Sequence, residues 1–225
     1  MSVSRETPAV QRLLSALAEE PDPHTTVSEP DAAFDVHVRD SLSGLEVREL
    51  AAARRIADIG AGAGFPGLVL ALVLPRAQVD LIESAGRKTA VTDRLIQAVE
   101  LSNARSVTAR VEDFARQPAA VGGGREAYDA VTARAVGPLA VLVEYAAPLL
   151  RLGGVLVAWK GARDEDEEAA GAAAAARVGM EASEVLPVKP YPASENRHLH
   201  VYSKVAPTPP EFPRRAGMAR KRPLA

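Results

Sequence analysis

A glycine-rich segment between two apolar stretches constrains the fold of this chain more than any other feature. Residues 58–67 read Asp-Ile-Gly-Ala-Gly-Ala-Gly-Phe-Pro-Gly, with an apolar stretch before them and another apolar run, 68–74, directly after them. Glycines allow positive φ and let a backbone approach a ligand closely, and Pro66 suits the first turn of a helix. The segment therefore predicts a strand, a ligand-binding loop and a helix in succession.

Strand and helix patterns alternate along the rest of the chain. Strands are predicted at 55–60, 78–83, 106–111, 128–132 and 153–159, and helices at 68–74, 88–101, 139–150 and 165–177. This alternation indicates βαβ units and a parallel sheet with right-handed crossovers. Two final strands, 184–188 and 199–204, are too close for a crossover helix and should form an antiparallel hairpin. The predicted fold class is α/β, a doubly wound seven-stranded sheet with an antiparallel C-terminal edge.

The chain divides into three predicted parts. Residues 1–50 form an N-terminal helical cap, because apolar residues recur at helical spacing between Arg5 and Glu20 and again between Phe34 and Leu45. Residues 51–206 carry the alternating pattern and form the main domain. Residues 207–225 are a proline-rich, basic C-terminal tail, which is a candidate for contact with an acidic partner.

Composition and charge exclude several classes of function. The chain has no cysteine, so it has no disulfide, thiolate metal site or cysteine nucleophile, and its net charge of -2 gives no overall attraction to nucleic acid. The first twelve residues carry charges and do not resemble a signal peptide. The run 68–74 is far shorter than the roughly 20 residues that span a bilayer. We expect a cytoplasmic protein, a monomer, with no membrane segment and no metal.

The acidic residue before the glycines favours one cofactor over another. Residues 62–67 match the dinucleotide pattern G-x-G-x-x-G, and Glu83 follows about 20 residues later. However, Asp58 stands two residues before three alternating glycines, Gly60, Gly62 and Gly64. A carboxylate there suits the cationic amino-acid end of S-adenosylmethionine and would disfavour a pyrophosphate at the same place. A methyltransferase is predicted, and an NAD-dependent dehydrogenase is the alternative on the same fold.

Two other acidic positions fall where the rest of that cofactor would lie. Glu83 ends the second predicted strand, where its two oxygens could accept both ribose hydroxyls. Val111 and Glu112 follow the third strand and are expected at the adenine end of the pocket. The alternative for each acidic residue is a solvated charge at the end of an element.

Short sequences along nearly the whole chain form a characteristic set: Gly64–Gly67, His37–Leu42, Ala133–Ala135, Trp159–Gly161, Glu195–Leu199 and the tail segment Thr208–Gly217. Together they resemble the RsmG (GidB) family of methyltransferases. The resemblance implies a Rossmann-like class I methyltransferase fold with S-adenosyl-L-methionine as cofactor. It also implies methyl transfer to N7 of one guanine in a decoding-region loop of 16S ribosomal RNA, as naked rRNA or within the small ribosomal subunit.

The resemblance further implies which residues bind the cofactor. These are Gly60, Phe65, Val111, Glu112 and Arg134, with Glu83 at the ribose. Two departures from the family pattern, Thr25-Thr26-Val27 and Val36, leave the role of the cap in RNA binding open.

The absence of certain catalytic residues is consistent with methyl transfer to guanine N7. Guanine N7 has a free in-plane lone pair, so no general base and no catalytic side chain are required beyond positioning. The fourth strand is followed by no Asn-Pro-Pro-Tyr sequence, and no cysteine can form a covalent adduct.

Arg134, Lys160 and Arg197 are hypothesised to bind RNA phosphate or the guanine O6 edge. The alternative is ordinary surface ion pairing. A methyltransferase acting on a protein or small molecule, or a non-catalytic RNA-binding module, remains an alternative function.

Overall fold

Seven strands form one sheet with helices on both faces in residues 3–225, the part of the chain that the computed structural model describes. The strands are β1 (Arg55–Ile59), β2 (Gln78–Glu83), β3 (Ala104–Thr108), β4 (Tyr128–Arg134), β5 (Leu150–Lys160), β6 (Met180–Val188) and β7 (Arg197–Lys204). The helices are α1 (Pro8–Glu19), α2 (Pro30–Ala33), α3 (Asp40–Leu42), α4 (Arg48–Ala52), α5 (Gly67–Val73), α6 (Gly86–Val99), α7 (Val111–Arg116), α8 (Leu139–Ala146), α9 (Glu165–Arg177) and α10 (Met218–Lys221). A π-helical turn covers Phe34–Arg39, and 3₁₀ turns cover Ser43–Glu46 and Ala119–Val121.

The strand order is β3-β2-β1-β4-β5-β7-β6. Strands β1 to β5 pair in parallel, whereas β7 pairs antiparallel with both β5 and β6. The predicted doubly wound sheet with an antiparallel C-terminal edge is therefore confirmed. Pro187 lies on β6, the edge strand, where a missing N–H interrupts no central ladder. The order reverses between β1 and β4, and ligands of open α/β sheets bind at that reversal.

Apolar side chains from the two faces of the sheet build two separate cores. Ile56 of β1 packs in the core that α1, α5 and α6 share, and Ala57 and Ile59 pack in the core under α8 and α9. Helix α1 contributes the buried side chains of Val10, Leu13, Leu14 and Leu17, whose spacing predicted it. Both faces of β1 are thus buried, which explains its short, almost uninterrupted apolar run.

Several elements differ from their predicted bounds, and two of these differences affect the site. The third strand ends at Thr108, because its partner β2 ends opposite it at Glu83, and Val111 instead begins α7. The helix predicted between Phe34 and Leu45 is divided into a π-helical turn, a short α-helix and a 3₁₀ turn. This irregular winding turns polar side chains of the cap inward; His37, Asp40 and Ser41 are buried.

The C-terminal tail (residues 207–225) packs on the sheet domain. Phe212 joins the core under α8, and Arg214 donates two hydrogen bonds to the buried carboxylate of Glu144.

Within residues 3–225, no helix is long and apolar enough to cross a membrane. Over the same range, no three His, Asp or Glu side chains cluster as metal ligands would. The three-part division of the chain and the monomeric state stay predictions.

Candidate functional site

A cavity of about 340 Å³ lies at the carboxyl ends of the parallel strands. Its walls come from the residues that follow β1 to β4, from α8 and from the tail. They are Ile59, Gly60, Ile82–Ala85, Arg87, Lys88, Ala109–Glu112, Ala135, Val136, Tyr145 and Arg220. Four predicted cofactor residues, Gly60, Glu83, Val111 and Glu112, therefore line one cavity. We call it the first cavity.

Glu83 ends β2 with its carboxylate held at the cavity wall. The Ala85 amide donates to Glu83 Oε1 over 3.0 Å, and Lys88 Nζ lies 3.9 Å from Oε2. Burial acts to raise the pKa of Glu83, but the Ala85 amide and the Lys88 charge outweigh it, so the pKa lies below its ordinary value. The carboxylate is thus ionised near neutral pH and retains lone pairs for further donors.

Glu112 lies at the other side of the first cavity, in the first turn of α7. It is 4 % exposed, and the backbone amide of Gly217 donates to its Oε1 over 2.7 Å. Because Gly217 belongs to the tail, the tail is bonded directly to a residue of the cavity wall. Arg220 follows along the tail, lines the cavity and donates to the Val136 carbonyl over 3.0 Å.

The glycine loop is shaped by close contacts that a side chain would block. Gly60 has φ +63, and a Cβ there would lie 2.7 Å from Val136 Cγ2. Gly64 has φ +97, and a Cβ there would lie 2.4 Å from Leu68 Cδ1. Gly62 also has positive φ, but a Cβ there would make only an ordinary contact, at 3.8 Å from the Gly60 carbonyl oxygen. Of these three glycines only Gly60 lines the first cavity.

Asp58 holds the loop instead of lining the cavity. Its Oδ1 accepts from Thr132 Oγ over 2.8 Å, and its Oδ2 accepts from the Gly67 amide over 2.9 Å. Burial raises the pKa of Asp58 to about 6, although both hydrogen bonds act to lower it. The side chain joins β1, β4 and the start of α5 at the point where the strand order reverses.

Phe65 and Arg134 connect the glycine loop to the cap. The Phe65 ring stacks on the His37 ring at 4.5 Å between centroids, and the Arg134 guanidinium lies 5.9 Å from the Phe65 centroid. Arg134 also donates to the Val36 carbonyl over 3.1 Å and to Asp40 Oδ2 over 2.7 Å. Burial and the Arg134 charge lower the pKa of His37 to about 4, so its ring is neutral at physiological pH.

A second cavity, of about 230 Å³, adjoins the first and shares Ala135 with it. Its walls are Asp40, Arg134, Ala135, Gly137, Leu142, Trp159–Gly161, Val188, Arg197 and His198. All three cations that were predicted to bind RNA thus line one cavity. Arg134 is paired with Asp40, and Lys160 Nζ lies 2.6 Å from Glu167 Oε1. Arg197 makes no ion pair with any described residue, so it is the cation most available to a ligand here.

Several wall residues of these cavities were not predicted from the sequence, and three of them matter to the site. Tyr145 and Arg220 line the first cavity, and Asp40 lines the second. Asp40 lies within the His37–Leu42 sequence that carried the family resemblance, which was the available signal for it. Arg220 belongs to the basic tail, whose packing against the domain depends on long-range contacts.

The comparison with known proteins gives a family with this architecture. A family model described as rRNA small subunit methyltransferase G matches residues 14–199. A ribosomal RNA small subunit methyltransferase G of Rubrobacter xylanophilus is 45% identical over 199 residues, which cover 87% of this chain and 75% of that protein. One of the same name from Chloroflexus aggregans is 42% identical over 200 residues, covering 89% and 82%.

The chain belongs to the rRNA small subunit methyltransferase G family. This methyltransferase family uses S-adenosylmethionine, and the membership sets the dehydrogenase alternative aside. A solved structure, an S-adenosylmethionine-dependent O-methyltransferase of Thermotoga maritima, has a TM-score of 0.56 at 16% identity and covers 76% of this chain and 66% of its own. At that identity the likeness supports the fold alone.

The first cavity fits the cofactor of this family. A nucleoside needs acceptors for its ribose hydroxyls and its exocyclic amine, and Glu83 and Glu112 offer carboxylates on two sides of the cavity. Apolar side chains, including Ile82 and Val111, complete the walls. Gly60 lets Val136 pack directly against the loop at the cavity wall, because a Cβ at position 60 would lie only 2.7 Å from Val136 Cγ2.

Proposed function

We propose that the enzyme transfers a methyl group from S-adenosylmethionine to N7 of one guanine in a decoding-region loop of 16S rRNA. The observation that carries the proposal is the pair of adjoining cavities, of which the first fits the cofactor and the second is lined by cations. Ala135, with positive φ just after β4, lines both. A base in the second cavity would therefore lie next to a cofactor in the first cavity, with Ala135 in the wall of both.

The cofactor contacts follow from the walls of the first cavity. Glu83 accepts the ribose hydroxyls, and the α7 start, Val111 and Glu112, borders the adenine. Gly60 allows the close approach of the loop. Asp58 acts as a positioning residue, because both of its oxygens are bonded within the protein.

The second cavity binds the RNA in this proposal. Arg197 binds a phosphate or the guanine O6, since cationic donors suit both acceptors. Arg134 and Lys160 are held by carboxylates, so they shape the cavity and balance its charge. We propose a cytoplasmic monomer, because rRNA is a cytoplasmic substrate and one chain contributes both cavities.

The reaction needs alignment and charge balance. When bound, the cofactor supplies an electrophilic methyl group on a sulfonium. The N7 lone pair forms the new C–N bond as the S–C bond breaks, so the positive charge passes from sulfur to the guanine ring. No proton is transferred, so the protein has to orient the two reactants and exclude water.

Transfer of a labelled methyl group to small ribosomal subunits tests the proposal. The subunits come from a bacterial strain without this modification, and the labelled base is mapped afterwards. Label at N7 of one loop guanine is the expected result. Label on another base would contradict the assigned substrate. If no RNA is labelled although calorimetry detects cofactor binding, the substrate is a protein or a small molecule.

A further inference from the structure

The loop between β4 and α8, residues 135–138, forms the wall that the two cavities share. Ala135 lines both cavities, Val136 lines the first and Gly137 lines the second. Ala135 has φ +57, which is unfavourable for a residue with a Cβ, so local preference alone does not hold the loop in this shape. Contacts with neighbouring elements therefore have to hold it.

One carboxylate of α9 holds the end of this loop. Glu167 Oε1 accepts from the Leu139 amide over 2.9 Å, and Lys160 Nζ donates to the same oxygen over 2.6 Å. Leu139 begins α8, and Pro138 before it makes no side-chain capping bond. Glu167 thus accepts one of the first-turn amides that the start of a helix leaves unpaired, where the helix dipole also favours a negative charge.

Lys160 connects the middle of the loop to the same carboxylate. Its Nζ lies 3.5 Å from the Gly137 carbonyl oxygen while it donates to Glu167. The two side chains of the pair are partly shielded from solvent, at 21% and 24% exposure. One carboxylate therefore fixes the loop at Gly137, through Lys160, and at Leu139 directly.

The packing of α9 against α8 places the carboxylate at this point. Gly171 lies four residues after Glu167 and therefore on the same face of α9. A Cβ at Gly171 would lie 2.8 Å from Leu139 Cβ, so the two helices approach too closely there for a larger residue. The first turn of α9 is itself capped, because Asp164 Oδ1 accepts from the Glu167 amide over 3.0 Å.

The cofactor side of the loop has a separate support. Arg220 of the tail donates to the Val136 carbonyl over 3.0 Å. Glu167 acts on the other side, at Gly137 and at the start of α8, whose Leu142 also lines the second cavity. Loss of the Glu167 contacts should therefore displace the second cavity more than the first.

We infer that Glu167 is a positioning residue for methyl transfer, because it fixes the wall that separates the base from the cofactor. The inference rests on the proposed function, since it needs a guanine in the second cavity and the cofactor in the first. Attack of N7 on the methyl group depends on alignment, and a displacement of about 1 Å can slow such a step about a hundred-fold. The acidic sequence 164–168 thus supports the site as well as the start of α9.

Single-turnover methylation of small ribosomal subunits tests the inference. Labelled S-adenosylmethionine is saturating, and the rate is divided by the number of cofactor-binding sites that calorimetry detects. Glu167→Ala removes the acceptor, Glu167→Gln keeps an oxygen at the same reach, and Glu167→Asp keeps the charge but is one methylene shorter. Asp166→Ala is the matched control, because Asp166 is exposed in the same turn of α9 and has no hydrogen-bond or ion-pair partner among the described residues.

We expect Glu167→Ala to transfer the methyl group about ten- to a hundred-fold more slowly per site, with a cofactor dissociation constant within about three-fold of the wild-type value. Glu167→Gln and Asp166→Ala should transfer at a rate within about three-fold of wild type. Where Glu167→Ala fails to bind cofactor, Glu167→Asp replaces it, with slower transfer at unchanged cofactor affinity as the expected result.

Hydrogen exchange of the Leu139 amide, followed by NMR, measures the anchoring without any substrate. This amide has Glu167 as its acceptor, so it should exchange at least about ten-fold faster in Glu167→Ala and Glu167→Asp. Exchange in Glu167→Gln and Asp166→Ala should match the wild type. An unchanged exchange rate in Glu167→Ala would overturn the inference.

The remaining outcomes separate the inference from the proposed function. A Glu167→Ala enzyme with the wild-type rate per site overturns the inference and leaves the function standing. A cofactor affinity that falls as much as the rate does the same, because it shows a general structural role. Glu167→Gln as slow as Glu167→Ala would assign the effect to charge instead of anchoring. Wild type that leaves the guanine unmethylated overturns the proposed function, and the inference with it.

Discussion

Four side chains that meet at the end of β4 depend on one another. Arg134 is bonded to Asp40 and lies over Phe65, which stacks on His37. The Arg134–Asp40 pair is largely buried, at 16% and 5% side-chain exposure. Removing one partner of a buried pair leaves an uncompensated charge and costs about 3–5 kcal/mol. Arg134 therefore matters to the fold of the cap as well as to the site.

The neutral His37 makes the stability of the protein depend on pH in a stated direction. Burial, reinforced by Arg134, lowers its pKa in the folded protein from 6.5 to about 4. Between about pH 4 and pH 6.5 the unfolded chain binds the His37 proton more tightly than the folded protein does. The stability that the neutral His37 contributes is therefore complete above about pH 6.5 and is lost as the pH falls towards 4. At about 1.4 kcal/mol per pKa unit, the loss approaches about 3 kcal/mol.

The measurement compares wild type with His37→Gln by denaturant unfolding between pH 7.5 and 4.5. All other groups, including Asp58, titrate in both proteins and cancel to first order. The difference in unfolding free energy, wild type minus variant, should fall as the pH falls. A difference that stays constant over this range would show that His37 is not held neutral by its surroundings.

At the scale of elements, the β1–loop–α5 unit depends on Gly60 for both its shape and its function. An alanine at position 60 would be strained at φ +63, and its Cβ would lie 2.7 Å from Val136, a residue that itself lines the first cavity. We expect Gly60→Ala to weaken cofactor binding about ten-fold or more, because the loop must move into the cavity or away from it. Calorimetric titration with S-adenosylhomocysteine measures the effect.

Gly153→Ala is the matched control for this prediction. Gly153 has φ +77 in β5, far from the cavity in sequence, and a Cβ there would lie 4.0 Å from Arg151. It carries the strain of positive φ, about 1–2 kcal/mol, without the clash. Equal cofactor affinities for the two variants would mean that the contact with Val136 is unimportant.

Elements defined by local patterns were predictable from the sequence, and those defined by distant partners were not. The strand, loop and helix around residues 55–73 follow from apolar runs and glycines, and Glu83 follows from the end of its strand. The end of β3 depends on where β2 stops, which nothing within residues 104–111 encodes. The roles of Asp40 and Arg220 depend on distant contacts. Asp40 bonds to Arg134, which is 94 positions away at the end of β4, and Arg220 bonds to Val136, which is 84 positions away in the loop after β4. The individual cofactor and RNA contacts stay predictions.

At the scale of the whole molecule, the tail completes a cavity built by residues far earlier in the chain. The basic composition of the tail suggested contact with an acidic partner, yet several of its groups are engaged with the protein. Arg214 pairs with Glu144 in α8, Gly217 bonds to Glu112, and Arg220 bonds to Val136. Cofactor binding and tail docking therefore share residues, and each should stabilise the other.

Arg214→Ala should loosen this arrangement from a distance. The Glu144 carboxylate is 2% exposed and accepts both Arg214 hydrogen bonds, so the variant leaves a buried charge unpaired. We expect faster proteolysis within residues 207–225 and a cofactor affinity lowered about ten-fold, because Arg220 and Gly217 lose their anchor. Arg215→Ala is the control, since Arg215 is exposed and a substitution there should change stability by less than about 0.5 kcal/mol.

A paired substitution distinguishes anchoring from charge. Arg214→Met with Glu144→Leu removes both charges and keeps apolar bulk, which often restores stability at a buried pair. If anchoring is what the cofactor site needs, the double variant should recover affinity and protease resistance. If cofactor affinity is normal in Arg214→Ala while the tail is cleaved faster, the first cavity binds its ligand without the tail. In that case Arg220 and Gly217 would contribute nothing to the site.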